Sequence, residues 1–180
     1  MKRLIFVVFL LFALSACSAG GTAKASKPEL DMPFSAEAEI TYGGEECTAR
    51  IQRLESGRWE FAVTAPEPRE GLIITVSDGE TKLKMYDLES LSDVSDKAVS
   101  MAKALVSAYD CAAKDGEAMS DGGTLTVSGS SPFGEYKLML GDDRSPVFFS
   151  VERCKLSADI SRFAPLEREE EEFPDARIIE

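Results

Sequence analysis

Apolar and polar residues alternate along the first half of the chain from about Pro33 onward. The first alternating run lies between Phe34 and Tyr42, and a period of two is typical of a strand with one buried face. Gly43-Gly44 then favours a hairpin turn. Strand-like runs follow at residues 47–51, 59–63, 72–76 and 81–85, separated by Gly or Pro turns. The pattern predicts an antiparallel meander of five strands.

The period changes in the middle of the chain. From Ser95 to about Ala113 the apolar residues recur every three or four positions, which is typical of one face of a helix. Asp115-Gly116 is a stop signal for that helix. Three residues near its start have side chains suited to an N-cap: Ser92, Asp93 and Ser95.

Strand-like segments return after the helix, at residues 124–128, 133–140, 147–151 and 155–163. About nine strands with a single helix indicate an α+β fold. Because strands twist, a sheet of that size should curve strongly. We therefore expect a strongly curved antiparallel sheet, an open half-barrel, with one main helix on its concave face.

The two ends of the chain differ from this central pattern. Met1-Lys2-Arg3 is basic, and the next eleven residues, Leu4 to Leu14, are all apolar. That run is too short to span a bilayer, which takes about 20 residues, and fits the apolar region of a signal peptide. We predict a signal peptide at 1–16, a flexible tether at 17–32, a folded domain at 33–165 and an acidic, disordered tail at 166–180.

Leu14-Ser15-Ala16-Cys17 resembles the lipobox of bacterial lipoproteins, in which small residues precede an obligatory Cys. The resemblance implies cleavage before Cys17 and a diacylglycerol, often with a further acyl chain such as palmitate, on that residue. Two or more chains hold a protein stably on a membrane. We expect the protein on the extracytoplasmic face of the cell membrane, or of the outer membrane if the organism has one. An ordinary cleaved signal peptide with an incidental Cys is the alternative.

Cleavage would remove Lys2 and Arg3, leaving 18 basic against 32 acidic residues and changing the formal net charge from −12 to −14. Such a chain should repel nucleic acid and anionic lipid headgroups. We therefore expect no nucleic-acid partner, and we expect lipid rather than charge to provide the membrane anchor.

The stretch from Phe34 to Gly79 carries a second resemblance. A strand leads to a basic and aromatic strand that ends at a Pro, followed by Gly-Leu, an apolar strand and an Asp-Gly turn. With the helix that interrupts the strands, this pattern resembles the LolA-like superfamily of lipoprotein carriers and sorting proteins, which includes mycobacterial lipid-carrying lipoproteins. The resemblance covers roughly Pro33 to Phe163. It implies a half-closed barrel that holds acyl chains in its concavity.

Such a concavity would be lined by apolar residues of the meander and of the helix face. The pocket candidates are Phe34, Ile40, Trp59, Phe61, Ile74, Val76, Met101, Leu105 and Tyr136. Apolar residues at these spacings also suit an ordinary closed core. The sequence leaves both interpretations open.

Several kinds of chemistry lack their residues in this chain. There is no His, which excludes Ser–His–Asp and Cys–His catalysis, and no Gly-rich phosphate loop. No spacing of carboxylates suggests a calcium loop. We expect no enzyme activity, no cofactor and no metal. Apart from Cys17 there are three cysteines, so at most one internal disulfide could form: Cys47, Cys111 and Cys154.

The sequence thus predicts a membrane-anchored lipoprotein that binds an amphipathic lipid or the acyl chains of a lipoprotein. The alternative is a non-enzymatic lipoprotein with a filled core that docks another envelope protein. The sequence names neither the ligand nor the partner.

Overall fold

The structure, a computed structural model, describes residues 23–91, 96–121 and 123–166. Cys17, the predicted signal peptide and the tail beyond residue 166 lie outside the described residues. Within them, one antiparallel sheet of twelve strands curves around one α-helix. The predicted fold class, mostly antiparallel sheet with one main helix, is confirmed at that level, but the expected nine strands were too few.

The first half is the predicted meander, and its strands are connected by tight turns. Its elements are β2 (Phe34–Tyr42), β3 (Glu45–Glu55), β4 (Arg58–Ala65), a 3-10 turn (Glu67–Arg69), β5 (Leu72–Ser77), β6 (Glu80–Met85) and β7 (Leu88–Leu91). Gly43 and Gly44 have φ of 56° and 87°, in the left-handed region that favours glycine, and they close the first hairpin as expected.

The helix α1 (Lys97–Asp115) has 19 residues and lies close to its predicted position. Its N-cap is Asp96, whose carboxylate accepts a hydrogen bond from the backbone amide of Ala98 at 2.8 Å. None of the three predicted capping residues takes that position, and all three fall in the undescribed stretch 92–95. Asp96 was missed because the apolar period placed the start of the helix at Ser95, two residues before the observed start at Lys97.

The second half adds strands to the other side of β2. They are β8 (Glu117–Asp121), β9 (Thr124–Ser131), β10 (Gly134–Leu140), β11 (Pro146–Val151), a 3-10 turn (Glu152–Cys154) and β12 (Leu156–Pro165). A two-residue strand, β1 (Ala23–Lys24), pairs with β8. The sheet order is β1-β8-β9-β10-β11-β12-β2-β3-β4-β5-β6-β7, and among the described residues its two edge strands do not pair with each other.

Three strands escaped the sequence analysis: β1, β7 and β8. All lie at or next to an edge of the sheet, and in β8 only Ala118 is buried. Apolar and polar residues need not alternate in an edge strand with little buried surface, so the period of the sequence does not indicate such a strand.

The core lies between the inward faces of the strands and the buried face of α1, which contacts β5 and β9 to β12. Alternate residues of β2 point inward, as in Phe34, Ala36, Ala38 and Ile40. The strands run between two ends of the half-barrel. The end with the starts of β2 and β11 is called the cleft end, and the end with the Gly43-Gly44 turn and the 3-10 turn Glu67–Arg69 is called the far end.

Candidate functional site

The nine pocket candidates all lie in one continuous core cluster. None is more than 4% exposed. The structure therefore brings the nine residues together in one packed core. Their side chains fill the space between sheet and helix by packing against one another and against α1.

Aromatic rings form the centre of this core toward the cleft end. Phe34 meets Trp59 edge-on with ring centroids 5.5 Å apart, and Trp59 meets Tyr109 of α1 in the same manner at 5.2 Å. Phe61 stacks on Trp59 at 6.1 Å. Edge-to-face and stacked pairs add roughly 0.5–1.5 kcal/mol each beyond burial. The indole Nε1 of Trp59 is buried and has no hydrogen-bond partner among the described residues.

One charged residue lies inside this apolar core. Arg53 of β3 is 1% exposed, and its guanidinium carbon lies 6.0 Å from the ring centroid of Trp59 and 5.9 Å from that of Tyr109. Sequence reasoning missed it. The signal was available, because the alternation of Ala49 and Ile51 continues to Arg53 and places all three on the inward face.

Three groups accept hydrogen bonds from the Arg53 guanidinium. Its Nε donates to Asp110 Oδ1 at 3.2 Å, and its Nη2 donates to Asp31 Oδ1 at 2.5 Å. Its Nη1 donates to the carbonyl of Met32 at 3.1 Å. The guanidinium thus joins β3, α1 and the chain segment that precedes β2. Burial of an arginine is tolerated only with partners of this kind.

Asp110 is the half-buried carboxylate of this cluster. Burial raises its pKa above the ordinary value of 3.8, which outweighs the opposite effects of the Gly57 amide and of Arg53. The Gly57 amide donates to Asp110 Oδ2 at 2.7 Å. The nearby Trp59 indole also lowers the pKa of Asp110, although it makes no hydrogen bond of normal geometry. Burial likewise raises the pKa of the Tyr109 phenol.

Residues 25–32, here called the strap, run across the cleft end of the half-barrel. The Ala25 amide donates to the Ala118 carbonyl at 3.0 Å. Lys27 Nζ donates to the carbonyls of Ala113 and Lys114 at the end of α1, both at 2.7 Å. Leu30 is 3% exposed and belongs to the core. These residues were predicted to be part of a flexible tether. They instead pack on the domain, because Leu30 is buried in the core and because Asp31 and Met32 accept hydrogen bonds from Arg53.

A cleft of about 370 Å³ lies between the strap and the loop before β11. Its lining is mostly apolar and includes Leu30, Met32, Tyr109, Phe163 and Pro165, with Arg144 from the loop. Ligand pockets typically measure roughly 300–1,000 Å³, so this volume is at the lower limit of that range. Of the nine predicted pocket residues, none lines this cleft.

A narrow slot of about 20 Å³ lies at the far end, near the start of α1. Met101 is the one predicted pocket residue that lines it, beside Cys47, whose thiol donates to the Met101 sulfur at 3.6 Å. Glu45 spans its rim by binding Arg69 at 2.7 Å and Lys97 at 2.5 Å. A slot of this volume has room for no more than about one water.

The thiols of Cys47, Cys111 and Cys154 are all free. Burial raises the pKa of each of them. No group of three or more metal-ligating side chains that could hold an ion occurs in the part of the chain that the structure describes. Among the same residues, no helix has the length and apolar character needed to cross a bilayer.

No protein-family model matches the chain, and no curated protein does. Among solved structures, an uncharacterized conserved protein from Thermus thermophilus is similar at 17% identity and a TM-score of 0.45, over 77% of this chain and 82% of that one. A LolA superfamily protein from Nitrosomonas europaea is similar at 8% identity and a TM-score of 0.42, over 78% of this chain and 88% of that one. Likeness at this level does not establish a shared family.

Proposed function

We propose that this protein is a lipid-anchored, extracytoplasmic, non-enzymatic protein that binds acyl chains of an amphipathic lipid or lipoprotein. Cys17, directly after the apolar run and the small residues Ser15 and Ala16, would carry the anchor. The observation that carries the binding proposal is the cleft between the strap and the loop before β11.

The cleft suits an acyl chain better than a polar ligand. Leu30, Met32 and Phe163 present apolar surface there, and burial of such surface against a chain contributes about 25 cal/mol per Å². The helix–sheet interior is already packed with side chains, so a long chain that entered it would have to displace some of them. The proposed binding site is therefore the cleft, which none of the nine predicted pocket residues lines.

Native mass spectrometry of residues 18–180, produced without the anchor, tests binding after incubation with palmitate and with phospholipid. We expect a lipid adduct that is lost in the variant Met32→Lys, because Met32 lines the cleft. Met119→Lys is the matched control, since Met119 is 39% exposed on β8. Absence of any adduct in the unaltered protein would contradict the proposal.

The anchor has its own test in the host bacterium. Cys17→Ser should abolish incorporation of labelled palmitate and release the protein from membranes, because the lipid bond forms on the sulfur. Membrane retention and palmitate labelling that persist in Cys17→Ser would contradict the proposed anchor, whatever the result for the cleft.

The alternative function, docking of another envelope protein, draws support from the packed interior. The largest exposed apolar side chains of the described residues are Tyr86, 75% exposed, and Leu88, 79% exposed, in the β6–β7 hairpin. Crosslinking in intact cells tests this docking function. It compares the unaltered chain with the variant Tyr86→Ser/Leu88→Ser and with a chain that lacks residues 167–180. A partner lost in one of these variants, with no lipid adduct in the unaltered chain, would favour docking over lipid binding.

A further inference from the structure

The pairing of β1 with β8 determines where the chain leaves the domain toward Cys17. Ala23 lies opposite Ser120, and Lys24 lies opposite Met119. The chain therefore runs from Lys24 through Ala23 toward Asp121 at the end of β8. That end of β8 is beside the start of β9, where Leu125 pairs with Leu140 at the end of β10. Ala23, the first described residue, therefore lies on the side of β1 that faces the cleft end.

The exit point is firmly held. The Ala25 amide bonds to Ala118, directly after β1, and Lys27 binds two carbonyls at the end of α1. The strap then continues to Leu30 in the core and to the Arg53 partners. Residues 17–22, six in number and here called the leash, separate Cys17 from the first described residue, Ala23, against the sixteen residues of the predicted tether at 17–32.

Six residues, fully extended, span at most about 22 Å. For comparison, β2 has 9 residues and is therefore about 30 Å long at roughly 3.3 Å per residue. To place the far end against the membrane, the leash would have to reverse its direction and cover a distance greater than its full extension. With the cleft end against the membrane, it needs to do neither.

We propose that the cleft end of the half-barrel faces the bilayer in which the lipid of Cys17 is inserted, so that the surface of this bilayer is the partner of that end. The inference rests on the proposed lipid anchor. In this orientation the cleft opens toward the leaflet that holds the anchor, and the acyl chains that it receives are those of the anchoring membrane. Soluble lipid or the chains of a distant carrier would have to enter from the side.

Two labelling positions separate the orientations. Arg144 lies in the loop at the cleft end, and Glu67 lies in the 3-10 turn at the far end; both are exposed. Single cysteines at Arg144→Cys and Glu67→Cys, in a chain whose other three free cysteines are alanine, take a donor fluorophore. The lipidated proteins are placed in phospholipid vesicles that contain a headgroup-labelled acceptor lipid.

We expect clearly greater energy transfer from position 144 than from position 67. A leash lengthened by about 30 Gly/Ser residues between Gly20 and Gly21 has a typical span of about 30 Å, comparable to the barrel itself. It should make the two transfer efficiencies nearly equal. Equal transfer with the natural leash, or greater transfer from position 67, would overturn the proposed orientation.

A second measurement avoids the cysteine replacements. In the unaltered lipidated protein, spin-labelled lipid headgroups should broaden the amide signals of residues 143–145 more than those of Glu67 and Arg69. The opposite order would overturn the orientation. If the protein does not bind vesicles through Cys17, the anchor is wrong and the inference fails with it. If the orientation is confirmed but native mass spectrometry detects no lipid adduct, the proposed anchor stands and only acyl-chain binding is refuted.

Discussion

The guanidinium of Arg53 and the carboxylate of Asp110 meet at 3.2 Å inside the half-barrel. Arg53 belongs to β3 and Asp110 to α1, so this ion pair connects sheet and helix through the middle of an aromatic core. The same guanidinium holds the strap through Asp31, whose side chain is 70% exposed. One buried cation thus links β3, α1 and the strap, and the last two also line the cleft.

Removal of this cation should destabilise the protein strongly. Arg53→Ala leaves the half-buried Asp110 without its ion-pair partner, and the cost should approach the roughly 3–5 kcal/mol of breaking a fully buried pair. Urea unfolding followed by Trp59 fluorescence measures the loss. The matched control is Arg58→Ala, which breaks an exposed pair with Glu55 and should cost no more than about 1 kcal/mol. Similar losses in both variants would contradict the central role of Arg53.

Asp110 should give the protein a specific dependence of stability on pH. Its pKa is raised in the folded state, so the native protein binds this proton more tightly than the unfolded chain does. The contribution of the group to stability is therefore fully present below pH 3.8 and is lost as the pH rises through the raised folded-state pKa.

The variant Asp110→Asn lacks this titration. The difference in unfolding free energy, unaltered protein minus variant, should fall as the pH rises above 3.8 and become constant at higher pH. Denaturant unfolding at a series of pH values measures it. A difference that rises over the same interval would mean that the folded-state pKa of Asp110 is lowered, because the ion pair with Arg53 outweighs the effect of burial.

The core residues allow a test between the filled-core and open-concavity interpretations. Ile74 is fully buried, and truncation of such a residue to Ala in a packed core costs about 2–5 kcal/mol. In a concavity that held only lipid, the loss for a lipid-free protein would be much smaller. Leu88→Ala is the control, because Leu88 is 79% exposed and its truncation should change stability by no more than about 0.5 kcal/mol.

Two carboxylates face each other on the outside of the sheet. Glu39 of β2 lies directly opposite Asp159 of β12, and both are exposed. Like charges in this position are destabilising, while opposite charges contribute roughly 0.2–1 kcal/mol. Asp159→Lys should therefore raise the midpoint of thermal unfolding. Glu37→Lys should lower it, because Glu37 lies opposite Arg50 and binds Arg162 at 2.6 Å.

Much of the fold could be predicted from local patterns. The strands β2 to β6 and β9 to β12 and the helix α1 each bury one face, so their apolar residues recur with the period of the element. The turns at Gly43-Gly44 and Asp78-Gly79 followed from residues that tolerate positive φ. Edge strands with little buried surface gave no such signal.

The candidate site was less predictable, because it depends on which segments meet. The sequence placed Phe34, Trp59 and Phe61 on inward faces. That placement fits both a pocket lined by these residues and a core packed with them. Whether side chains fill the interior depends on the curvature of the sheet and the position of α1. The cleft is formed by segments far apart in the chain, near residues 30, 109, 145 and 163, and no local pattern connects them.

The sequence by itself determined the inward and outward faces of most elements, the absence of histidine chemistry and the acidic surface, because these depend only on residue type and spacing. Only the tertiary structure decided that Arg53 is paired inside the core, that the strap packs across the cleft end, and that a short β1 fixes the exit of the chain. The physical reason is that a buried charge and a segment without periodicity take their positions from partners distant in sequence. Those partners come together only when the sheet closes around the helix.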